Sequence, residues 1–93
     1  MAVAPFDHPI LSGLLGDEEV AAQFSADAEM AAILAFETAL AEAEAAEGVI
    51  PADAAAAIAG AIADFAPDME RLKDGTTRDG VVVPELVRQL REH

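Results

Sequence analysis

Alanine occupies 23 of the 93 positions of this chain, and this excess favours helices over strands. Alanine is the best helix former, but it contributes little apolar area when it is buried. A chain of this length also buries only about 60–65% of its unfolded surface. We therefore predict an all-α fold with about four to five helices and a small core, forming one domain over residues 1–93.

The net charge argues against two classes of partner. Eighteen acidic residues and five basic residues give a formal charge of −13. Nucleic acids and anionic membrane surfaces would repel such a chain. It also has no Trp or Tyr on which bases could stack. We expect neither a nucleic-acid partner nor a membrane partner.

Cysteine is absent, which excludes disulfides, thiolate metal sites and a cysteine nucleophile. The opening MAVAPFDHPI lacks the positive region and the continuous apolar stretch of a signal peptide. No window approaches the ~20 apolar residues that span a bilayer. These features predict a cytoplasmic protein.

Capping residues and apolar spacing predict where the helices lie. Residues 1–16 are expected to be irregular, Ser25 to be an N-cap, and Gly48 to be a left-handed residue at a helix end. The predicted helices are a short one within 16–24, a long one over 26–47, one from Pro51 through Ile58, Ile62 and Phe65, a short one from Pro67 that ends at Asp74 and Gly75, and a last one that begins between Val81 and Pro84.

The segment DGVVV at 79–83 also resembles a turn that enters a strand. Pro84 argues against a strand because it has no N–H to donate to a ladder. Proline is tolerated in the first turn of a helix. We therefore predict a helix, with Leu86, Val87 and Leu90 on one face.

Glu37 stands out on the long predicted helix because it falls within an arc of large apolar residues. That arc consists of Met30, Ile33, Leu34, Phe36 and Leu40. A carboxylate among apolar side chains requires a partner. Either Glu37 reaches a helix end or a backbone group, or it pairs with an arginine of this chain or of a neighbouring subunit.

The segment TTRDG at 76–80 is the candidate binding site, predicted as a loop just before a helix N-terminus. Free N–H groups and the helix dipole favour an anion at such a position. Arg78 can bind a carboxylate in a bidentate manner, and Thr77 and Asp79 lie beside it. The alternative is an ordinary connector in which Asp79 is an N-cap and Arg78 is solvated.

Other catalytic candidates are few. His8 and His93 lie at opposite ends of the chain, and Ser12 and Ser25 have no histidine near them in sequence. No histidine and acidic residues are grouped as metal ligands. We expect no metal, no cofactor and no catalytic residue within this chain.

Residues 8–51 and 67–92 resemble the amino-terminal part of bacterial 3-carboxy-cis,cis-muconate cycloisomerases, members of the fumarase/aspartase superfamily. The segments FETALAEAE and GVIP are shared across much of that superfamily, which includes adenylosuccinate lyase. The run from Thr76 to Arg91, TTRDGVVVPELVRQLR, is similar to the cycloisomerases in particular.

This resemblance implies the first domain of a longer, cofactor-independent enzyme that forms homotetramers and assembles its active sites from several subunits. The implied reaction converts 3-carboxy-cis,cis-muconate to carboxymuconolactone in protocatechuate (β-ketoadipate) degradation. The implied substrate is a tricarboxylate, and the 93 residues alone are expected to be inactive.

The resemblance also places Thr77, Arg78 and Asp79 at the mouth of the active site, with Arg78 on a substrate carboxylate. In adenylosuccinate lyases the matching motif is Thr-Arg-His-Asp, and its histidine position holds Asp79 here. That difference disfavours the purine lyase. Two alternatives remain: another lyase of the superfamily, of adenylosuccinate or argininosuccinate type, or a free-standing acidic helical interaction module.

Overall fold

A computed structural model describes residues 4–93, and every regular element in this range is an α-helix. The all-α prediction is confirmed. The six helical segments are α1 (Ser12–Leu15), α2 (Glu18–Gln23), α3 (Ala26–Ala46), α4 (Ala52–Ala63), α5 (Met69–Asp79) and α6 (Val83–Glu92). The single turn α1 lies within the segment predicted to be irregular, whose residues 1–3 lie outside the described range.

The chain divides into two compact units, one that extends to Ile33 and one that spans Leu34–His93. The boundary falls inside α3. In the first unit, α2 begins as predicted, because Asp17 caps it by accepting the Val20 N–H at 3.1 Å. Glu18 and Glu19 follow in the first turn, where the helix dipole favours negative charge.

The ends of α3 are fixed by the two residues that the sequence indicated. Ser25 Oγ accepts the Ala28 N–H at 3.1 Å, as an N-cap does. At the other end Gly48 has φ +75°, and Val49 N–H donates to the Glu44 carbonyl at 2.8 Å. This is a Schellman ending, in which a left-handed residue allows the next N–H to reach back to the last turn. Both predictions are confirmed.

The predicted apolar arc of α3 is only partly buried. Met30 and Leu34 are buried, whereas Phe36 is 64% exposed and Leu40 is 41% exposed. Glu37 is half-buried and forms no ion pair within residues 4–93. The proposed pairing of Glu37 with an arginine of this chain is therefore wrong.

The core of the second unit is small, as the alanine content predicted. Pro51 is the N-cap of α4, one position earlier than the first helical position expected for it. The buried apolar residues of this unit are Leu34, Ala41, Ala55, Leu72 and Leu86. Only three of them are larger than alanine, so the unit has little apolar area to stabilise it.

The predicted end of the helix at Asp74 and Gly75 is wrong. Helix α5 continues through both residues to Asp79 and ends at Gly80, which has φ +78°. Gly75 is buried, and a Cβ on it would lie 2.5 Å from Glu85 Cβ. This glycine is therefore required by close packing between helices and not by a turn. Helix α6 begins at Val83, as predicted, with Pro84 in its first turn.

Candidate functional site

Helices α5 and α6 form a hairpin in which chemically distinctive side chains meet. Residues 80–82 connect the two helices. Partners pair in opposite order along the chain, because Asp68 contacts Gln89 and Gly75 lies against Glu85. The two helices are therefore antiparallel. Gly75 allows the backbone of α5 to approach the side chain of Glu85 closely.

Glu85 is the buried charged residue of this hairpin, with 4% of its surface exposed. Its Oε1 lies 3.0 Å from Arg71 Nη2. Its Oε2 lies 3.5 Å from Arg78 Nη2 and is contacted by Arg88 Nη1. Gln89 Nε2 donates to Oε1 at 3.5 Å. One carboxylate thus holds three guanidinium groups, which satisfies the requirement that a buried charge be paired.

Two further carboxylates bind the same arginines from the outside. Glu92 accepts from Arg71 Nη1 at 3.0 Å and from Nη2 at 3.3 Å. Asp79 accepts from Arg78 Nε and from Nη2, each at 3.1 Å. Both contacts have the two-point geometry that suits a planar guanidinium and a carboxylate. Each of these arginines therefore bridges a buried carboxylate and an exposed one.

These contacts determine the direction of the pKa shifts. Burial acts to raise the pKa of Glu85, but the hydrogen bonds from Arg88 and Gln89 and the charges of Arg71 and Arg88 together lower it. The hydrogen bond from Arg78 lowers the pKa of Asp79. In turn, hydrogen bonds to Glu92 and Asp79 raise the pKa values of Arg71 and Arg78, respectively. The charged forms of all these groups are therefore favoured.

An open cleft of about 360 Å³ lies over this cluster. We call it the arginine cleft; it is lined by Arg71, Asp74, Gly75, Arg78, Glu85 and Arg88. The three arginine side chains are about half exposed, whereas Glu85 is buried beneath them. A guanidinium has five N–H donors, so these arginines can bind both Glu85 and an anion in the cleft.

The structure places the three predicted site residues differently. Arg78 lines the cleft, and Asp79 lies against Arg78. Thr77 does not line the cleft, because its hydroxyl donates to the Lys73 carbonyl at 3.0 Å along the exposed side of α5. The structure thus brings Arg78 and Asp79 together and leaves Thr77 apart.

The predicted setting of these residues is also wrong. Thr76, Thr77, Arg78 and Asp79 form the last turn of α5 instead of a loop before a helix N-terminus. Free carbonyl groups and the negative end of the dipole lie at such a turn, and they favour a cation. The arginine side chains, and not backbone N–H groups, would therefore bind an anion. The interpretation of Asp79 as an N-cap is wrong for the same reason.

Four important residues escaped the sequence analysis: Arg71, Glu85, Arg88 and Gln89. A signal for them exists in the spacing. Arg71, Gly75 and Arg78 stand at i, i+4 and i+7, on one face of a single continuous helix. The mistaken helix end at Gly75 separated Arg71 from Arg78 and concealed that face.

Gln89 fixes the far end of the hairpin. Its side-chain Oε1 accepts the Asp68 N–H at 2.8 Å, and its Nε2 donates to the Asp68 carbonyl at 3.2 Å. The Asp68 carboxylate meanwhile caps α5 by accepting the Arg71 N–H at 3.1 Å. These bonds connect the start of α5 to the last turns of α6. They also fix where Arg71 lies relative to Glu85.

No three histidine or acidic side chains within residues 4–93 are grouped closely enough to hold a metal ion. None of the helices described for this range has the length and apolar character needed to cross a bilayer.

The chain matches no protein-family model, and it matches no curated protein. The resemblance in the sequence and the geometry of the arginine cleft are therefore the grounds for a functional proposal.

Proposed function

We propose that this chain is the amino-terminal segment of a cofactor-independent cycloisomerase that converts 3-carboxy-cis,cis-muconate to carboxymuconolactone. The single observation that carries the proposal is the arginine cleft, in which Arg71, Arg78 and Arg88 surround one buried carboxylate. The similarity of residues 76–91 to the cycloisomerases supplies the identity of the ligand. The proposed reaction belongs to the cytoplasm.

Charge supports a carboxylate ligand at this position. Residues 1–68 contain no lysine or arginine, so the basic side chains of the chain all lie between Arg71 and Arg91. A substrate with three carboxylates would be repelled by the rest of the chain. The half-exposed guanidinium groups of the cleft offer it charged hydrogen-bond donors at short range. Arg78 is the proposed primary contact, and Asp79 holds its guanidinium by two hydrogen bonds.

The proposed role of this segment is to bind and orient the substrate. In the reaction a substrate carboxylate oxygen forms a bond to an alkene carbon, and the neighbouring carbon receives a proton. Arginine remains protonated in proteins and does not act as the acid. Arg78 would fix a second carboxylate so that the reacting groups meet in a productive geometry. Proton transfer is assigned to residues contributed by other parts of the enzyme and by its neighbouring subunits.

A spectrophotometric assay of the full-length protein tests the proposal. We expect loss of the muconate absorbance with 3-carboxy-cis,cis-muconate and no turnover of adenylosuccinate or argininosuccinate. Activity on either of those two substrates alone would favour the alternative lyase of the same superfamily. The 93-residue chain should show no turnover, and detectable lactonisation by it would contradict the assignment of proton transfer to other segments.

A matched pair of variants tests the cleft itself. Arg78→Ala in the full-length enzyme should raise KM about tenfold or more, because a charge-assisted hydrogen bond to the substrate is lost. Lys73→Ala removes a basic side chain from the exposed side of the same helix and should leave KM unchanged. Equal effects of the two changes would remove Arg78 from the site.

A second candidate function is that of a free-standing acidic interaction module. The observation that favours it is the exposure of Phe36 and Leu40, neighbours at i and i+4 on α3. Neighbouring exposed apolar side chains of this size are typical of surfaces that contact another protein. A reading frame that stops at His93, together with a partner whose binding is lost in Phe36→Ser, would support this function. A frame that continues into an active enzyme would exclude it.

A further inference from the structure

We propose that Glu85 is the positioning residue of the arginine cleft, and that it holds three guanidinium groups in a fixed arrangement for a polycarboxylate ligand. The inference rests on the proposed function for the identity of the ligand. It assigns the geometry of the cleft to a residue that is buried beneath the guanidinium groups, at the base of the cleft.

Glu85 is buried more deeply than the arginines that it contacts. Its side chain is buried, whereas the side chains of Arg71, Arg78 and Arg88 are about half exposed. Glu85 therefore lies at the base of the cleft, and the guanidinium groups reach the surface. Arginine side chains lose considerable rotational freedom when they are fixed. A cleft whose arginines are already held by Glu85 avoids part of that loss when the ligand binds.

The two oxygens of Glu85 divide the arginines between them. Oε1 contacts Arg71, from the first turns of α5, and Oε2 contacts Arg78, from its last turn. Arg88 approaches Oε2 from α6 itself. One carboxylate thus sets the spacing of three guanidinium groups. Two of them come from residues seven apart on α5, and the third comes from α6.

Gly75 is the feature that makes this arrangement possible. It lies between Arg71 and Arg78 on the same face, and a Cβ there would overlap Glu85 Cβ and Cγ, at 2.5 and 2.9 Å. Gln89 completes the arrangement by donating to Oε1 while it binds the Asp68 backbone. The carboxylate is therefore held from both helices.

The direction in which Glu85→Gln changes the affinity for an anion distinguishes positioning from simple electrostatics. Glu85→Gln removes a negative charge next to the cleft, so electrostatics alone predicts tighter binding of an anion. Positioning predicts the opposite, because the arginines lose their common acceptor. We expect Glu85→Gln to weaken binding of the tricarboxylate tricarballylate to the 93-residue chain by about tenfold, measured by calorimetry. Unchanged or tighter binding would overturn the proposal.

Glu70→Gln is the matched control. It also removes one negative charge from the hairpin, but from an exposed carboxylate of α5 that does not line the cleft. We expect this variant to bind tricarballylate as tightly as the unmodified chain or more tightly. A loss of affinity equal to that of Glu85→Gln would show that the loss of any nearby carboxylate suffices, which would overturn the special role of Glu85.

A second readout does not depend on the ligand. In nitrogen-15 NMR spectra, the Nη–Hη signals of Arg71, Arg78 and Arg88, whose Nη atoms contact Glu85, should be dispersed in the unmodified chain. In Glu85→Gln they should move toward the signal of Arg91, which lies outside the cleft. Far-UV circular dichroism should show that the helices are retained. Signals that stay dispersed in the folded variant would overturn the proposal.

The binding and NMR measurements together show which proposal fails, the polycarboxylate ligand or the positioning role of Glu85. If the unmodified chain binds no tricarballylate but its arginine signals depend on Glu85, the assignment of the cleft to a polycarboxylate fails and positioning by Glu85 stands. If Glu85→Gln unfolds, Glu85→Asp replaces it, because aspartate keeps the charge but is one methylene shorter. That variant should also bind more weakly, and binding equal to the unmodified chain would contradict positioning.

Discussion

Helices α3 and α4 differ from α5 and α6 in almost every respect that determines how helices pack. The first pair contains 18 of the 23 alanines and no lysine or arginine. The second pair contains no alanine and all five basic residues. The buried residues of α3 and α4 are all apolar. The buried residues of α5 and α6 also include a glutamate, a glutamine and a glycine.

The difference agrees with the packing, because α5 and α6 contact each other more extensively than any other pair of the described helices. Small apolar side chains allow many similar packings, because few of their contacts are directional. A buried polar cluster is satisfied in one register only, because each donor needs its acceptor. In this chain, α5 and α6 are matched by Glu85, Gln89 and their partners, whereas α3 and α4 carry no comparable cluster within the described residues. Substitutions should therefore be tolerated better in α3 and α4 than in α5 and α6.

The largest difference in the free energy of unfolding is expected between alanine substitutions of two leucines. Leu86 on α6 is 2% exposed, whereas Leu40 on α3 is 41% exposed. Leu86→Ala should lower the free energy of unfolding by about 2–5 kcal/mol, because it leaves a cavity in a small core. Leu40→Ala should lower it by less than about 1 kcal/mol. Urea unfolding followed by circular dichroism measures both, and similar losses would remove the distinction between the two regions.

Replacing a glycine by alanine should change stability in opposite directions at two helical positions, Gly75 and Gly60. Gly75→Ala should destabilise the chain by about 1–3 kcal/mol, because the new methyl group overlaps Glu85. Gly60 on α4 has nothing within 4 Å of a Cβ position. Gly60→Ala should therefore stabilise the chain by up to about 1 kcal/mol through helix propensity. Thermal unfolding of both variants tests this, and a stabilising Gly75→Ala would show that the close approach to Glu85 is not a constraint.

A smaller loss of stability is expected when the hydrogen bonds between the Gln89 side chain and the Asp68 backbone are removed. Gln89→Met retains the approximate volume of the side chain but leaves the Asp68 N–H without its partner, whereas the Asp68 carbonyl keeps its hydrogen bond from the Leu72 N–H. We expect a loss of about 1–3 kcal/mol in the free energy of unfolding. Gln23→Met on the exposed end of α2 is the control and should change stability by less than about 0.5 kcal/mol. An equal effect at both positions would show that the hydrogen bonds between Gln89 and Asp68 do not stabilise the fold.

The sequence was sufficient wherever a local rule decides the structure. Ser25, Gly48 and the start of α6 were predicted correctly because capping and proline effects depend on near neighbours in the chain. The end of α5 was not, because Asp74 and Gly75 form a turn signal that packing overrides. Gly80 carries a second such signal, and nothing local distinguishes the two. The deciding contact is with Glu85, ten residues later.

The candidate site was predicted in part, for a related reason. Arg78 was identified because it stands between two turn signals and within a segment that resembles a known family. Glu37, and not Glu85, stands out on a helical wheel, because large apolar residues lie on its own face of the helix. What buries Glu85 is the antiparallel arrangement of α5 and α6, which brings Arg71 and Arg78 to it from another helix. A wheel of one helix cannot contain that information.

The last contrast concerns two glutamates whose replacement by glutamine should change stability with opposite signs. At neutral pH, Glu85→Gln should lower Tm, because three arginines lose their acceptor. Glu47→Gln should raise stability by about 0.3–1 kcal/mol, because Glu47 follows the carboxyl end of α3, where the dipole disfavours negative charge. A lower Tm in both variants would contradict the contrast between the two regions.

The pH dependence of the Glu85→Gln effect gives a further check. The folded-state pKa of Glu85 is lowered from its ordinary value of 4.5. Its carboxylate therefore contributes stability that is fully present above pH 4.5 and is lost as the pH falls through the lower, folded-state pKa. The Tm difference between the unmodified chain and Glu85→Gln should be largest near neutral pH and should narrow as the pH is lowered through that range. A difference that is constant with pH would mean that the variant acts through packing and not through the charge of Glu85.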